Sequence, residues 1–223
     1  MIGVLAYGSL ITTPGPELAA VTVGRTEGVL TPFSVEFARK SSGRCGAPTL
    51  VPVDTGGCPV RALIYEVSVS EDDAASIVYR REIDAIGSGR VYCEPAADRK
   101  NAVRIDHIVG LAGFDLVLST RIASNIFALH PDILADMAIN SARKLSDGRD
   151  GITYLMDALR CGIVTPLSRA YEASILEKTS TQDRVRRSYR PHHRPRYGTS
   201  RLAAHCCQLP GPGHQAAHPR SGA

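Results

Sequence analysis

No apolar run in this sequence approaches the roughly 20 residues that a membrane span needs. The N-terminus carries no basic stretch, and the apolar segment from Ile2 to Ala6 is broken by Tyr7-Gly8-Ser9 before it reaches signal-peptide length. These two observations predict a soluble, cytoplasmic protein with no membrane partner. The six cysteines contain no CxxC pair. Cys45, Cys58, Cys93 and Cys161 are scattered and Cys206-Cys207 are adjacent, so neither a zinc site nor a disulfide framework is expected. Gly56-Gly57 lies outside any GxxxxGK-Ser/Thr pattern and reads as a turn rather than a phosphate loop. Ser9 has no GxSxG context and no His/Asp pairing, which argues against a serine nucleophile.

The 223 residues fit one domain, and 43% hydrophobic composition is ordinary for a globule with a real core. The formal net charge of +4 conceals an asymmetry. Residues 178–223 carry nine Lys/Arg against Asp183 alone, a local +8, which leaves −4 on residues 1–177. Beyond residue 178 the apolar patterning stops. Arg190-Pro191-His192-His193-Arg194-Pro195-Arg196 and Leu209-Pro210-Gly211-Pro212-Gly213 cannot bury enough apolar surface to offset ordering, so 179–223 reads as a disordered basic tail. Five of the seven histidines lie there at irregular, proline-broken spacings, which suit no metal site. A GC-rich message read out of frame gives the same composition, and the tail is assigned no function.

Within residues 1–178 the pattern is strand-rich first and helical later. Val4 to Ile11 reads as a buried strand emptying into a Tyr-Gly-Ser turn; Pro14-Gly15-Pro16 reads as a loop, and Val21 to Val23 and Val29-Leu30 as extended. Phe33 to Arg39 alternates with period two, Thr49 to Val53 resumes after Ser41-Ser42-Gly43, and Val60 to Val67 follows Gly56-Gly57. Short strands with glycine-rich turns predict an antiparallel meander or small barrel. Ser70-Glu71-Asp72-Asp73 is a helix start with acids in its first turn, and Ala74, Ile77, Val78 and Arg81 share a face before Gly87-Ser88-Gly89. Val91 to Cys93 and Val103 to Leu111 read as two more strands. From about residue 120 helices dominate. One opens at His130-Pro131-Asp132 with Ile133, Leu134, Met137 and Ala138 inward. A second carries Ile152, Leu155, Met156 and Leu159 and ends at Gly162, and a third follows Thr165-Pro166 with Leu167, Ala170, Tyr171 and Ser174 on one face. The fold class is α+β: a small mixed or antiparallel β-barrel with flanking helices and a C-terminal helical segment.

Two segments far apart in sequence carry the chemistry. Gly8 can take a positive φ, so the Tyr7-Gly8-Ser9-Leu10 bend can present uncovered backbone N–H groups to an anionic or carbonyl group. Tyr79-Arg80-Arg81-Glu82 closes the amphipathic segment with one carboxylate. Taken singly, the first is a turn and the second a solvated helix-end ion pair. Together, a loop of donors and one placed carboxylate suffice for proton transfer on an amide. Burial against Ile77 and Val78 would favour the protonated form of Glu82, and a neighbouring Arg80 or Arg81 the ionised form. Arg39 and Tyr92 are further candidates for the pocket, with an interstrand charge and a packing aromatic as their plainer readings. Tyr154 and Tyr171 read as helix-packing residues.

The order of these stretches resembles the γ-glutamylcyclotransferase family, most nearly its ChaC-type, glutathione-degrading branch. The resemblance rests on Leu5 to Ile11 with its YGSL, on Gly46 to Val67 and on Tyr79 to Tyr92, and it covers residues 1 to about 177. It implies a compact mixed barrel acting without metal or organic cofactor on a small-molecule γ-glutamyl substrate. It also implies that Tyr7, Gly8, Ser9 and Leu10 hold the γ-glutamyl head and that Glu82 is the acid/base. The activity implied is lysis of glutathione or another γ-glutamyl peptide or amine to 5-oxoproline and the released amine. The sequence departs from the branch where Thr12-Thr13-Pro14 replaces an aromatic and where Ile83 to Gly89 replaces a glycine pair, both at positions suited to the distal part of a substrate. The alternatives are a non-catalytic γ-glutamyl or carboxylate binder of the same fold, and a nucleic-acid or acidic-partner binder acting through the basic tail. The tail's only aromatics are Tyr189 and Tyr197, which makes nucleic acid the weaker reading.

Overall fold

A computed structural model of the chain describes residues 1–99 and 101–188, which fall in one compact unit. In chain order its elements are β1 (Ile2–Ala6), α1 (Ser9–Thr12), α2 (Pro16–Val21), β2 (Thr22–Leu30), β3 (Val35–Ser41), β4 (Ala47–Pro52), β5 (Arg61–Val67) and α3 (Glu71–Glu82). Then follow β6 (Arg104–Val109), β7 (Leu116–Arg121), α4 (Pro131–Ala142), α5 (Gly151–Arg160) and α6 (Ser168–Ser188), with short 3-10 turns at Ser42–Arg44 and Leu111–Gly113.

β1 is apolar on both faces, with Val4, Leu5 and Ala6 all buried, as befits a strand covered on both sides. It lies at the centre of a five-stranded sheet ordered β2-β5-β1-β7-β6. β1 runs antiparallel to β5, with Val4 opposite Tyr65, and parallel to β7, with Val4 opposite Leu118. The fold is therefore α+β with a mixed sheet, but among the described residues the strands do not close into a barrel, and the sheet order is not a meander. β5 lies inside the sheet between β1 and β2, and the sheet ends in β2 on one side and β6 on the other. The hairpin β3–β4 forms a separate two-stranded sheet, with an isolated bridge between Val35 and Cys58.

Strand alternation sorts the core into two layers on the sheet. Val4, Ala6, Tyr65, Val67 and Leu118 face α3 and pack on Ala74, Ala75, Ile77 and Val78. Leu5, Ala62, Ile64, Phe114 and Val117 pack on the opposite face. Each fully buried aliphatic chain of this set contributes about 1.5–3 kcal/mol. A third cluster joins the β3–β4 hairpin to α4, α5 and α6, with Phe37 stacked edge-on between Tyr154 and Tyr171.

Several local expectations are corrected. Pro14 to Val21 is a loop followed by a helix, α2, because Pro16 occupies a first-turn position where its missing N–H costs nothing. Val91 to Cys93 is not a strand; Tyr92 N–H donates to Ser76 Oγ at 3.1 Å instead of joining a ladder. The helices at α4 and α5 are turned by about one position. Leu134, Ala135, Ala138 and Ile139 face inward on α4, and Tyr154, Leu155 and Ala158 on α5, leaving Ile133 41% and Met156 37% exposed. α6 runs to Ser188, so disorder from residue 179 does not hold for residues 179–188. The remainder of the tail, with its histidine pattern and Cys206-Cys207, lies outside the described residues. Among the described residues the four cysteines are free, and no helix is long and apolar enough to cross a membrane.

One buried charge anchors the entry to α6. Glu36 on β3 is fully buried, and it accepts hydrogen bonds from Phe37 N–H (2.8 Å), Thr165 Oγ1 (2.6 Å) and Leu167 N–H (3.2 Å). Burial pushes its carboxyl above the usual range, against the pull of those three donors. A raised native value means that the folded state holds the proton more tightly. The stabilisation from Glu36 is thus full below the ordinary glutamate range and is lost as pH rises through the native value. Thermal melts of wild type and Glu36→Gln from about pH 4 upward should show the wild type's margin falling with pH. A margin that grows or stays level contradicts this account.

Candidate active site

The β1 exit bend and the end of α3 are brought together by sequence-local devices at both ends. Ser70 caps α3, its Oγ accepting from Asp73 N–H at 3.2 Å, and the acids at 71–73 suit the positive end of the helix. At the other end Ala85 N–H reaches the Arg80 carbonyl (2.8 Å) and Asp84 N–H the Arg81 carbonyl (3.3 Å), with Asp84 in the left-handed region at φ 55°. This double bond pattern stops the helix at Glu82 and turns Ile83 to Ile86 back along the cavity wall.

Arg80 and Arg81 then divide the work. Arg80 pairs with Glu17 of α2 at 2.8 Å and donates to the Arg90 carbonyl, while Glu17 also accepts from Gly87 N–H. That backbone bond and the Arg80 guanidinium hold the Glu17 carboxyl below its usual range. Arg81 points the other way. Its Nη1 donates to Glu82 Oε1 at 2.6 Å, its Nη2 to Ser9 Oγ at 3.0 Å and to the Thr13 carbonyl at 3.0 Å. One guanidinium thereby bridges the α3 carboxylate and the loop after β1. Glu82 Oε2 has no hydrogen-bond partner among the described residues.

A cavity of about 490 Å³ opens over this junction. Tyr7, Ser9, Leu10, Arg39 and Glu82 all line it. Gly8 does not line the wall but sets its shape. It caps α1 with φ 59° and ψ −137° and provides no side chain, so the first N–H groups of α1 receive no side-chain cap. A Cβ at Gly8 would lie 2.7 Å from Tyr154 Oη. Backbone strain in that region amounts to about 1–3 kcal/mol, so Gly8→Ala should lower the melting temperature by several degrees. Removing the hydroxyl with Tyr154→Phe in the same background should recover part of the loss, and a double variant as unstable as Gly8→Ala would show that the contact is unimportant.

Tyr92 is the candidate that the structure separates from the rest. Its hydroxyl is bonded to Glu94 and accepts from Ile105 N–H, its ring packs on Tyr79, and it does not line the cavity. Burial, followed by the bond to Glu94, pushes its phenol up to about 12. Tyr154, by contrast, lines the cavity as well as packing α5. Its hydroxyl oxygen accepts from Leu50 N–H at 3.2 Å, and Arg44 lies over its ring at 4.7 Å. Burial, with the Glu82 charge second, holds the Tyr7 phenol well above the tyrosine range, so it stands as a neutral donor, directed at the Thr120 carbonyl (3.4 Å).

The sequence reading missed Arg44, Arg149 and Asp84 as cavity residues. Nothing local marks them, since Arg44 leaves a 3-10 turn and Arg149 precedes the α5 cap, 105 residues on. The wall is cationic on balance, with Arg39, Arg44, Arg81 and Arg149 against Glu82 and Asp84. Among the described residues no group of three or more His, Cys, Asp or Glu is placed to hold a metal ion. The arrangement offers one carboxylate with a free oxygen, a loop with open N–H groups, neutral phenols and several guanidinium groups. That set can bind a small carboxylate-bearing molecule and exchange a proton with it. Comparison of the chain with protein-family models and with curated proteins finds no match.

Proposed function

We propose that this protein is a γ-glutamylcyclotransferase-like lyase, which cyclises the γ-glutamyl group of glutathione or another γ-glutamyl peptide or amine to 5-oxoproline. The observation that carries the reading is the shared cavity: Tyr7, Ser9 and Leu10 of the β1 exit and Glu82 of α3 line one wall system, tied by Arg81. Under this reading the γ-glutamylcyclotransferase fold would be a variant with an open mixed sheet.

The substrate brings its own nucleophile. Its α-amine attacks its γ-carbonyl carbon, a C–N bond forms to close the five-membered lactam, and the original amide C–N bond breaks to release the amine. Holding the chain folded in that geometry supplies much of the advantage, since well-oriented internal reactions save on the order of 7–11 kcal/mol. The enzyme's part is proton management. Glu82 Oε2 takes a proton from the α-ammonium, and the carboxyl group returns one to the departing nitrogen. Arg81 fixes the other carboxylate oxygen, so the reactive one keeps a single orientation. The open N–H groups of the Gly8–Leu10 bend would take up the negative charge that develops on the carbonyl oxygen. No metal or cofactor enters this scheme.

Incubation with glutathione and with γ-glutamyl amino acids, followed by measurement of 5-oxoproline, tests the reading directly. A second reading has one observation in its favour: the 2.6 Å Arg81–Glu82 ion pair also suits a non-catalytic γ-glutamyl or carboxylate binder. Calorimetric binding of the same compounds without any 5-oxoproline would select it. Most of the basic segment invoked for nucleic-acid binding, residues 189–223, lies outside those described.

A further inference from the structure

We propose that Arg39 and Arg44 read a negative charge on the departing half of the substrate, so that the protein acts on γ-glutamyl compounds whose released amine carries a carboxylate and discriminates against neutral and cationic γ-glutamyl amines. This assignment rests on the lyase reading for its substrate and on the cavity geometry for its residues.

The starting point is a charge inventory of the cavity. Arg81 is paired with Glu82 and Arg149 with Asp147. Arg39 and Arg44 have no carboxylate partner among the described residues, although both line the cavity. Each spends one N–H on a backbone carbonyl: Arg39 Nη1 on Ala123 O at 2.6 Å and Arg44 Nη1 on Arg149 O at 2.9 Å. Those bonds orient the two guanidinium groups and leave donors over, because a guanidinium carries five. Both groups are partly buried, which disfavours their charge; the like charges of Arg81 and Arg149 also oppose the Arg44 cation, while Tyr154 and Asp157 favour it without forming an ion pair, Asp157 being paired with Arg160. Two oriented, partly buried cations with no salt-bridge partner among the described residues form a site suited to an anion, and a guanidinium matches the two oxygens of a carboxylate.

Position separates them from the head-group site. The γ-glutamyl end belongs to the wall made by the β1 exit, Arg81 and Glu82. Arg39 and Arg44 come from β3 and the turn after it, on the hairpin layer. Tyr154 lies between, with its hydroxyl beside Gly8 and its ring under Arg44. A ligand that spans the cavity from one wall to the other therefore puts its released half against these arginines. They are positioning and specificity residues, not participants in the bond changes.

The test uses the full chain and three probes: γ-glutamylglycine, γ-glutamylglycinamide and γ-glutamylputrescine. Both 5-oxoproline formation and calorimetric affinity are measured. The wild type should favour the glycine compound over the amide by roughly tenfold, the value of one charge-assisted hydrogen bond, mainly through KM and affinity, and should use the putrescine compound least. Arg44→Gln and Arg39→Gln should compress this preference towards unity, while Arg44→Lys should retain most of it. Equal affinity for the glycine compound and its amide in the wild type overturns the proposal, as does a proportional loss for all three probes in the arginine variants. Carboxylate-dependent affinity without 5-oxoproline would sink the lyase reading and leave Arg39 and Arg44 as the carboxylate site of a binder. Turnover without discrimination would do the reverse, and no binding of any probe would remove both.

Discussion

Replacing Glu82 by glutamine is expected to lower 5-oxoproline formation from a γ-glutamyl substrate by roughly 10²–10⁴-fold, the usual worth of a positioned general acid/base. The amide keeps the size of the carboxylate and an oxygen that can still accept from Arg81 Nη1, so the tie between α3 and the β1 exit survives. What it loses is the ability to take a proton and return it. Under the proposed function the loop would hold the head group, so substrate affinity should change far less than turnover. The decisive comparison is kcat against calorimetric affinity, with thermal melts confirming that the variant is folded. Undiminished turnover in Glu82→Gln would remove Glu82 from the reaction altogether. A variant that loses affinity and turnover in step would make it a binding residue.

The second large effect is on stability. Phe37→Ala should cost about 3–5 kcal/mol, the range for deleting a buried phenylalanine side chain, and should lower the melting temperature by roughly 10 °C or more in a chain of this size. Phe37 is fully buried, and its ring meets Tyr154 at 6.3 Å and Tyr171 at 5.4 Å, both edge-on. Each such pair adds about 0.5–1.5 kcal/mol beyond area burial. The loss should also reach the cavity, because Tyr154 is the residue that joins this cluster to Leu50 N–H and to the Gly8 bend. Chemical denaturation gives the stability change, and KM for a γ-glutamyl substrate reports the loosened wall. A fall in stability under about 1 kcal/mol would mean that the neighbouring rings close the gap.

The elements that the sequence disclosed are those with local chemistry at their ends. Ser70 with its following acids marks the start of α3, and the strands β3, β4 and β5 follow from alternation and glycine turns. Their partners were not legible. β7, Leu116 to Arg121, receives no assignment from the sequence pattern, yet it is the parallel neighbour of β1, and that pairing makes the sheet mixed. The barrel expectation failed for the same reason: no strand carries a local signal of its distant partner, and the β3–β4 hairpin forms its own sheet instead of extending the five-stranded one. On α4 and α5 the apolar stripe was broad enough for the inward face to slip by one residue, since Ile133 and Met156 are apolar but lie at its margins. The two halves of the candidate site, the bend at Tyr7 to Leu10 and Glu82, are ordinary features taken singly and stood out only through their joint order along the chain, which carries the family resemblance. Arg44 was invisible because its relation to the cavity depends on a contact with Arg149, and Tyr154 was read as packing because it packs as well.

The parallel pairing of β1 with β7 has a temporal consequence. During synthesis the first strand emerges early but cannot gain its second neighbour until residue 121 has left the ribosome, and the cavity wall must wait for Tyr154. Such distant pairings are the slow kind, because the chain closes a long loop before any contact repays it. One edge of a largely apolar β-strand thus stays open in the nascent chain while more than a hundred further residues are added.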